Sequence, residues 1–256
     1  MNGQKTLNLM CFYPLLKLSK ICDYKRAMSI AENIAKIEER LLAVCGRTGR
    51  KRNEITLMGV SKFVPREMIT DAFNSGIRYF GESRVKEAAD KLNGFKEEYP
   101  QAQIHMIGSL QRNKAKQAVM FFDCIQSVDR EELLFELIKH VSLRNMPLEV
   151  FLELHTGEQT KSGFNGLNAL LKAAELVLSK PELKLSGLMT MAPFTDDADL
   201  IRSSFRQLTK ARMELEKRFP ELEKCLGLSM GMSNDFEIAI EEGSTLLRIG
   251  SAIFKE

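Results

Sequence analysis

From Met28 onward the hydrophobic positions alternate between two periods. Ile30, Ile34, Ile37, Leu41 and Val44 recur at helical spacing and predict an amphipathic helix that Gly46 ends. A short apolar run over 55–61, terminating at Lys62, reads as a strand. The spacing then predicts a helix over 66–74 closed by Ser75-Gly76, a strand over 77–80, a helix over 84–92 and a strand over 104–107. The pattern repeats without interruption: helix 113–120, strand 124–126, helix 130–143, strand 148–154, helix 166–179, strand 183–191. The longest helix, 197–218, leads to a strand over 226–229; a helix over 235–242 ends at Gly243, and a last strand covers 245–249.

Eight short apolar strands separated by helices imply a parallel sheet with right-handed crossovers. Eight units favour closure, and the 256 residues suit the roughly 250 of a (β/α)8 TIM barrel. A dinucleotide-binding sheet would want a G-x-G-x-x-G turn after its first strand, and Gly59-Val60-Ser61-Lys62-Phe63 is not one. No linker or repeat divides the chain, so residues 28–256 are expected to form one domain. No helix is predicted after the eighth strand, and the helix starting near Met28 is expected to cover that gap. Residues 1–27 read as a disordered extension or a start-site artefact: Leu9–Leu16 are mostly apolar, Lys17 and Lys20 follow, and no cleavage site is present.

A net charge of +3, from 37 basic and 34 acidic residues without a basic run, argues against a nucleic-acid partner. The apolar runs fall short of the roughly 18 residues that span a membrane. Five scattered cysteines and three histidines lack disulfide-framework or metal-ligand spacing, which suits reduced thiols in the cytoplasm.

In such a barrel, ligands meet the C-terminal ends of the strands. Lys62 ends the first strand. Alone it reads as a surface charge; inside the mouth, burial would favour the neutral amine that attacks an aldehyde. The seventh strand runs into Ser229-Met230-Gly231-Met232-Ser233-Asn234. Asn234 and Glu237 have capping-box spacing, which predicts a helix N-terminus able to attract phosphate, with Ser229 or Ser233 adding a hydroxyl. The eighth ends in Arg248-Ile249-Gly250-Ser251, where Gly250 permits close backbone approach to an anion. The competing reading is an ordinary serine-rich turn beside an arginine paired to a carboxylate.

These segments carry a resemblance. Val60-Ser61-Lys62, Gly81-Glu82, His105 to Lys114, Thr160-Lys161-Ser162-Gly163, Gly187-Leu188-Met189, Leu228 to Ser233 and Arg248 to Phe254 occur in order. Together they resemble the pyridoxal-phosphate homeostasis family, across nearly all of 28–254. The resemblance implies a pyridoxal 5′-phosphate-binding barrel similar to the N-terminal domain of alanine racemase, with Lys62 carrying the cofactor as an aldimine. It implies Arg248 facing the pyridine nitrogen, and phosphate contacts from Ser229 and the Gly250-Ser251 turn. Where the family usually reads G-E-N, this chain has Ser83, a shorter hydroxyl that also suits the N-cap of the next helix.

Two functions from different classes follow. One is a protein that holds or delivers pyridoxal 5′-phosphate for vitamin B6 and amino-acid homeostasis, with apo-enzymes as recipients, acting as a monomer or weak dimer. The other is a racemase-like enzyme, which needs acid and base groups on both faces of the cofactor. No base is evident for the second face: the chain ends two residues after Phe254, so no second domain is expected, and Tyr79 reads as core. Arg248 also leaves the ring a modest electron sink. A third reading, a Schiff-base aldolase, would want a carboxylate or a second lysine at the mouth, for which Lys161 is the candidate.

Overall fold

A computed structural model describes residues 28–157 and 162–255. The extension expected over 1–27, and Thr160-Lys161, lie outside the described residues.

Eight parallel strands close on themselves in sequence order: β1 (Thr56–Val60), β2 (Tyr79–Glu82), β3 (Gln103–Met106), β4 (Cys124–Val128), β5 (Leu148–Glu153), β6 (Leu183–Met189), β7 (Gly227–Ser229) and β8 (Leu246–Ile249). β8 pairs back onto β1, with Met58 opposite Arg248, which completes the (β/α)8 TIM barrel that the alternation predicts. Around it run α1 (Ile30–Thr48), α2 (Arg66–Asn74), α3 (Val85–Lys91), α4 (Phe95–Glu98), α5 (Ala115–Phe121), α6 (Glu131–Val141), α7 (Gly166–Leu178), α8 (Ala198–Arg218), α9 (Phe236–Glu241) and α10 (Ser251–Phe254). Among the described residues no helix is long and apolar enough to cross a membrane.

Three details differ from the pattern. α1 runs through Gly46 to Thr48, and Gly49 ends it in the left-handed conformation with its N–H on the Cys45 carbonyl. A glycine inside a helix weakens it without stopping it; the αL position behind it does the stopping. The one-turn α4 was not predicted, being too short to show a period. A one-turn α10 does follow the last strand. α1, opened by a Ser29–Glu32 capping box, nevertheless covers the gap: it packs against α2, α9 and α10, and Asn33 Nδ2 donates to the Ile253 carbonyl at 3.0 Å.

The core is two-layered. One continuous apolar cluster fills the space between strands and helices, including Leu57, Phe80, Ile104, Ile125, Leu228 and Leu247. A separate small cluster of Cys124, Phe151 and Met189 lies apart from it. Beside this inner cluster, the strands contribute buried polar side chains: His105, Gln126, Glu153, Ser229 and Arg248. Such groups cost stability unless each finds a partner.

Closure between β5, β6 and β7 depends on Gly187. A Cβ built there would stand 2.3 Å from the Gly227 carbonyl oxygen and 2.4 Å from a ring carbon of Phe151. Gly187→Ala is therefore expected to cost about 3 kcal/mol and lower Tm by roughly 6–10 °C. Gly46→Ala, with nothing within 4 Å of the added carbon, should be neutral or slightly stabilising. Thermal unfolding of the two variants checks this; equal Tm values would contradict the close strand approach.

Candidate functional site

A cleft of about 1120 Å³ opens at the C-terminal ends of the strands, walled by the turns that follow most of them. Lys62, Ser83, Ser233, Arg248, Gly250 and Ser251 all line it, although they come from four separate βα connections. Ser229, the remaining expected contact, does not. It is fully buried one layer lower, where its hydroxyl donates to Gln126 Oε1 at 2.6 Å and accepts from Arg248 Nη1 at 2.6 Å.

Lys62 stands in the turn after β1. It is exposed, not buried as a place inside the mouth would have it. The turn itself is what the fold controls. On one side, the Ser61 hydroxyl donates to Glu82 Oε1 at 2.6 Å, and Lys91 Nζ bonds both that oxygen and the Ser61 carbonyl, each at 2.8 Å. On the other side, the Phe63 N–H donates to Glu87 Oε1 at 2.8 Å. Phe63 has φ +62°, a left-handed conformation that costs a non-glycine residue on the order of 1–3 kcal/mol, so the clamp holds a turn the chain would otherwise relax. Between these fixed neighbours, Lys62 has no hydrogen bond or ion pair among the described residues.

The opposite wall is built by the loops after β7 and β8. Ser233 Oγ accepts from the Ala252 N–H at 3.4 Å, which brings the two loops together beside Gly250 and Ser251. A Cβ on Gly250 would meet Val60 Cβ at 3.3 Å and the Val60 carbonyl at 3.4 Å, so a larger residue would press the turn off β1. The capping box does not form. α9 begins at Phe236 and is six residues long, and the Asp235 carboxylate caps the Met232 N–H rather than the helix. Asn234 and Glu237 thus contribute no helix N-terminus. Ser83 is likewise not an N-cap: α3 begins at Val85 behind Arg84, without a side-chain cap, and Ser83 faces the cleft instead.

Arg248 is 4% exposed. Burial lowers its pKa to about 10, with Asp235 and Glu153 acting in opposition, so it stays cationic at physiological pH. Its Nη2 donates to the Thr190 carbonyl at 2.7 Å. Among the described residues its guanidinium forms no ion pair, which disposes of the strand-end arginine bound to a carboxylate.

Sequence reasoning missed Glu153. It ends β5, is buried, and lines the cleft, where Ser162 Oγ donates to Oε1 at 3.0 Å. Burial raises its pKa, and nearby Asp129 adds to the rise against the Ser162 bond and Arg248. The cleft therefore does hold a candidate acid–base group, contrary to the expectation from sequence. The signal was available: a carboxylate at the C-terminal end of β5, where the strand meets the cleft.

The family model for the alanine racemase N-terminal domain matches residues 32–256. The pyridoxal phosphate homeostasis protein of Vibrio cholerae is 38% identical over 231 residues, covering 89% of this chain and 96% of that protein. The structure of PipY from Synechococcus elongatus with pyridoxal phosphate bound superposes with a TM-score of 0.76 at 31% identity, over 88% of this chain and all of that one. The alanine racemase of E. faecalis shares the fold, with a TM-score of 0.62 at 17% identity, and this chain spans 59% of its length. The chain thus belongs to the alanine racemase N-terminal domain family and, within it, to the pyridoxal phosphate homeostasis proteins.

Proposed function

We propose that the protein binds pyridoxal 5′-phosphate in the cleft, with Lys62 as the attachment residue, and that it stores and hands on the cofactor rather than turning over amino acids. The observation carrying this reading is the convergence on one cleft of an amine without partners among the described residues, a buried cation and a serine–glycine turn. When bound, the cofactor supplies an aldehyde that condenses reversibly with a primary amine, and a phosphate dianion. The donor set fits that group at both ends. Lys62 offers the amine on a clamped turn; Ser233 and the Gly250-Ser251 turn offer hydroxyl and backbone N–H groups for the phosphate. Arg248 offers N–H to the ring nitrogen and withholds its proton, which leaves the ring a modest electron sink. Ser83 closes the wall beside these groups. Ser229 acts from below, by holding Arg248. The working unit is the barrel over 28–256, in the cytoplasm, as a monomer or weak dimer, with apo-enzymes that need the cofactor as recipients.

Attachment is tested by borohydride reduction of the yellow protein and mapping of the labelled lysine. The label is expected on Lys62 alone, and Lys62→Ala should lose the near-visible band while keeping the wild-type Tm, because an exposed lysine without partners contributes little to stability. A variant that stays equally yellow, with its label on Lys161, would overturn the assignment.

The role is tested by incubating the loaded protein with common L- and D-amino acids and, separately, with an apo-enzyme. Transfer to the apo-enzyme is expected, with racemisation, transamination and decarboxylation slow or undetectable. Glu153→Gln should then leave transfer measurable. Turnover in the ordinary enzymatic range of about 1–1000 per second, abolished by Glu153→Gln, would instead establish the racemase-like enzyme with Glu153 as its second acid–base group.

A further inference from the structure

Arg248 is the end of a buried chain of side chains that crosses the barrel. From β8, Arg248 Nη1 reaches Ser229 on β7 at 2.6 Å; Ser229 reaches Gln126 on β4 at 2.6 Å; and Gln126 Nε2 lies 2.8 Å from His105 Nδ1 on β3. Ser229 and Gln126 have no exposed surface, and His105 and Arg248 have 4% each. The other guanidinium arm is tied to the Thr190 carbonyl, and the Thr190 hydroxyl in turn donates to the Leu154 carbonyl at 2.9 Å.

The bonds of this chain run one way, from Arg248 toward His105. A guanidinium has donors only, so the Ser229 oxygen accepts from Arg248, and the Ser229 hydroxyl donates to Gln126 Oε1. That turns the Gln126 carbonyl toward Ser229 and its NH2 toward His105. His105 must then present Nδ1 as a bare acceptor and carry its proton on Nε2. Burial lowers the His105 pKa to about 4, with Asp123 and Glu149 opposing and Lys96 assisting, so the ring is neutral and able to accept. Each link of the chain pairs one donor with one acceptor. Among these four residues only Arg248 is charged, so the chain orients the guanidinium without neutralising it, as a carboxylate would.

Apolar residues at 105, 126 and 229 would fill this interior without needing partners. The polar chain needs a reason, and the group at its end lines the cleft. We infer that Gln126 and His105 are positioning residues for the cofactor: acting through Ser229, they fix the Arg248 guanidinium in the orientation that meets the ring. This rests on the pyridoxal 5′-phosphate reading above. Neither residue lines the cleft itself.

The experiment combines a ligand-free readout with a double-mutant cycle. In the ligand-free wild-type protein, 15N NMR of the His105 ring should show a neutral imidazole with Nδ1 unprotonated and hydrogen-bonded from pH 5 to 8. A proton on Nδ1, or a charged ring at pH 6, overturns the inference whatever the protein binds. Affinity for pyridoxal 5′-phosphate is then measured for wild type, Gln126→Leu, Arg248→Gln and the double variant. Gln126→Leu is expected to weaken binding about tenfold and shift the near-visible band, yet to add less than about twofold in the Arg248→Gln background. His105→Phe, which removes the terminal acceptor and keeps an aromatic ring beside Tyr79, should lose part of the same affinity and supplies the cycle if Gln126→Leu does not fold. Equal losses with and without Arg248, or no loss, would make the chain merely structural and overturn the inference. Absence of any binding by wild type, with the His105 tautomer as described, would instead overturn the proposed function and remove the cofactor role of the chain with it.

Discussion

A guanidinium buried in a barrel must have its donors met by acceptors, and Arg248 imposes that requirement on its surroundings. Its two arms draw on the Ser229 hydroxyl and the Thr190 carbonyl, and the chain behind Ser229 recruits β4 and β3. An unpartnered charge there would cost several kcal/mol. Met with neutral acceptors, it becomes a fixed positive group at the floor of the cleft. The register of β8 against β1 sets Arg248 beside Met58, and the turns after these two strands deliver Gly250 and Lys62 to the same opening. Strand pairing, interior polarity and cleft chemistry are thus one arrangement.

The attachment turn follows the opposite logic. Lys62 is left open while its neighbours are clamped from β2 and α3 by Glu82, Glu87 and Lys91, and Phe63 is held in a conformation it would not choose. An amine without partners among the described residues, on a rigid base, is free to meet and release an aldehyde. That division, a fixed wall of Arg248, Ser233 and the Gly250-Ser251 turn facing an open amine, is what the proposed storage and hand-over of the cofactor requires.

Much of the architecture was legible because it depends on periodicity. Eight apolar runs between amphipathic helices admit few topologies, and the cleft residues were readable as strand-end punctuation: Lys62, Ser233, Gly250. Local capping rules were less dependable. Asn234 and Ser83 have the side chains of N-caps, but the loops position them differently, and Asp235 bonds Met232 instead of its helix. The interior chain was missed because a strand such as Cys124-Ile125-Gln126 was read only for its apolar character. His105, Gln126, Glu153, Ser229 and Arg248 are polar residues on strands recognised by their apolar positions, and bringing them together inside the barrel needs the closed register that only three dimensions supply.

The central claim, that one cleft binds the cofactor between Lys62 and Arg248, is tested most directly by a crystal structure of the protein grown with pyridoxal 5′-phosphate. The account predicts continuous density between Lys62 Nζ and the aldehyde carbon, phosphate oxygens within hydrogen-bond reach of Ser233 and the Gly250-Ser251 turn, and Arg248 still bonded to Ser229 while it meets the ring nitrogen. Cofactor attached to another lysine, or lodged outside this cleft with Arg248 turned away from Ser229, would contradict it.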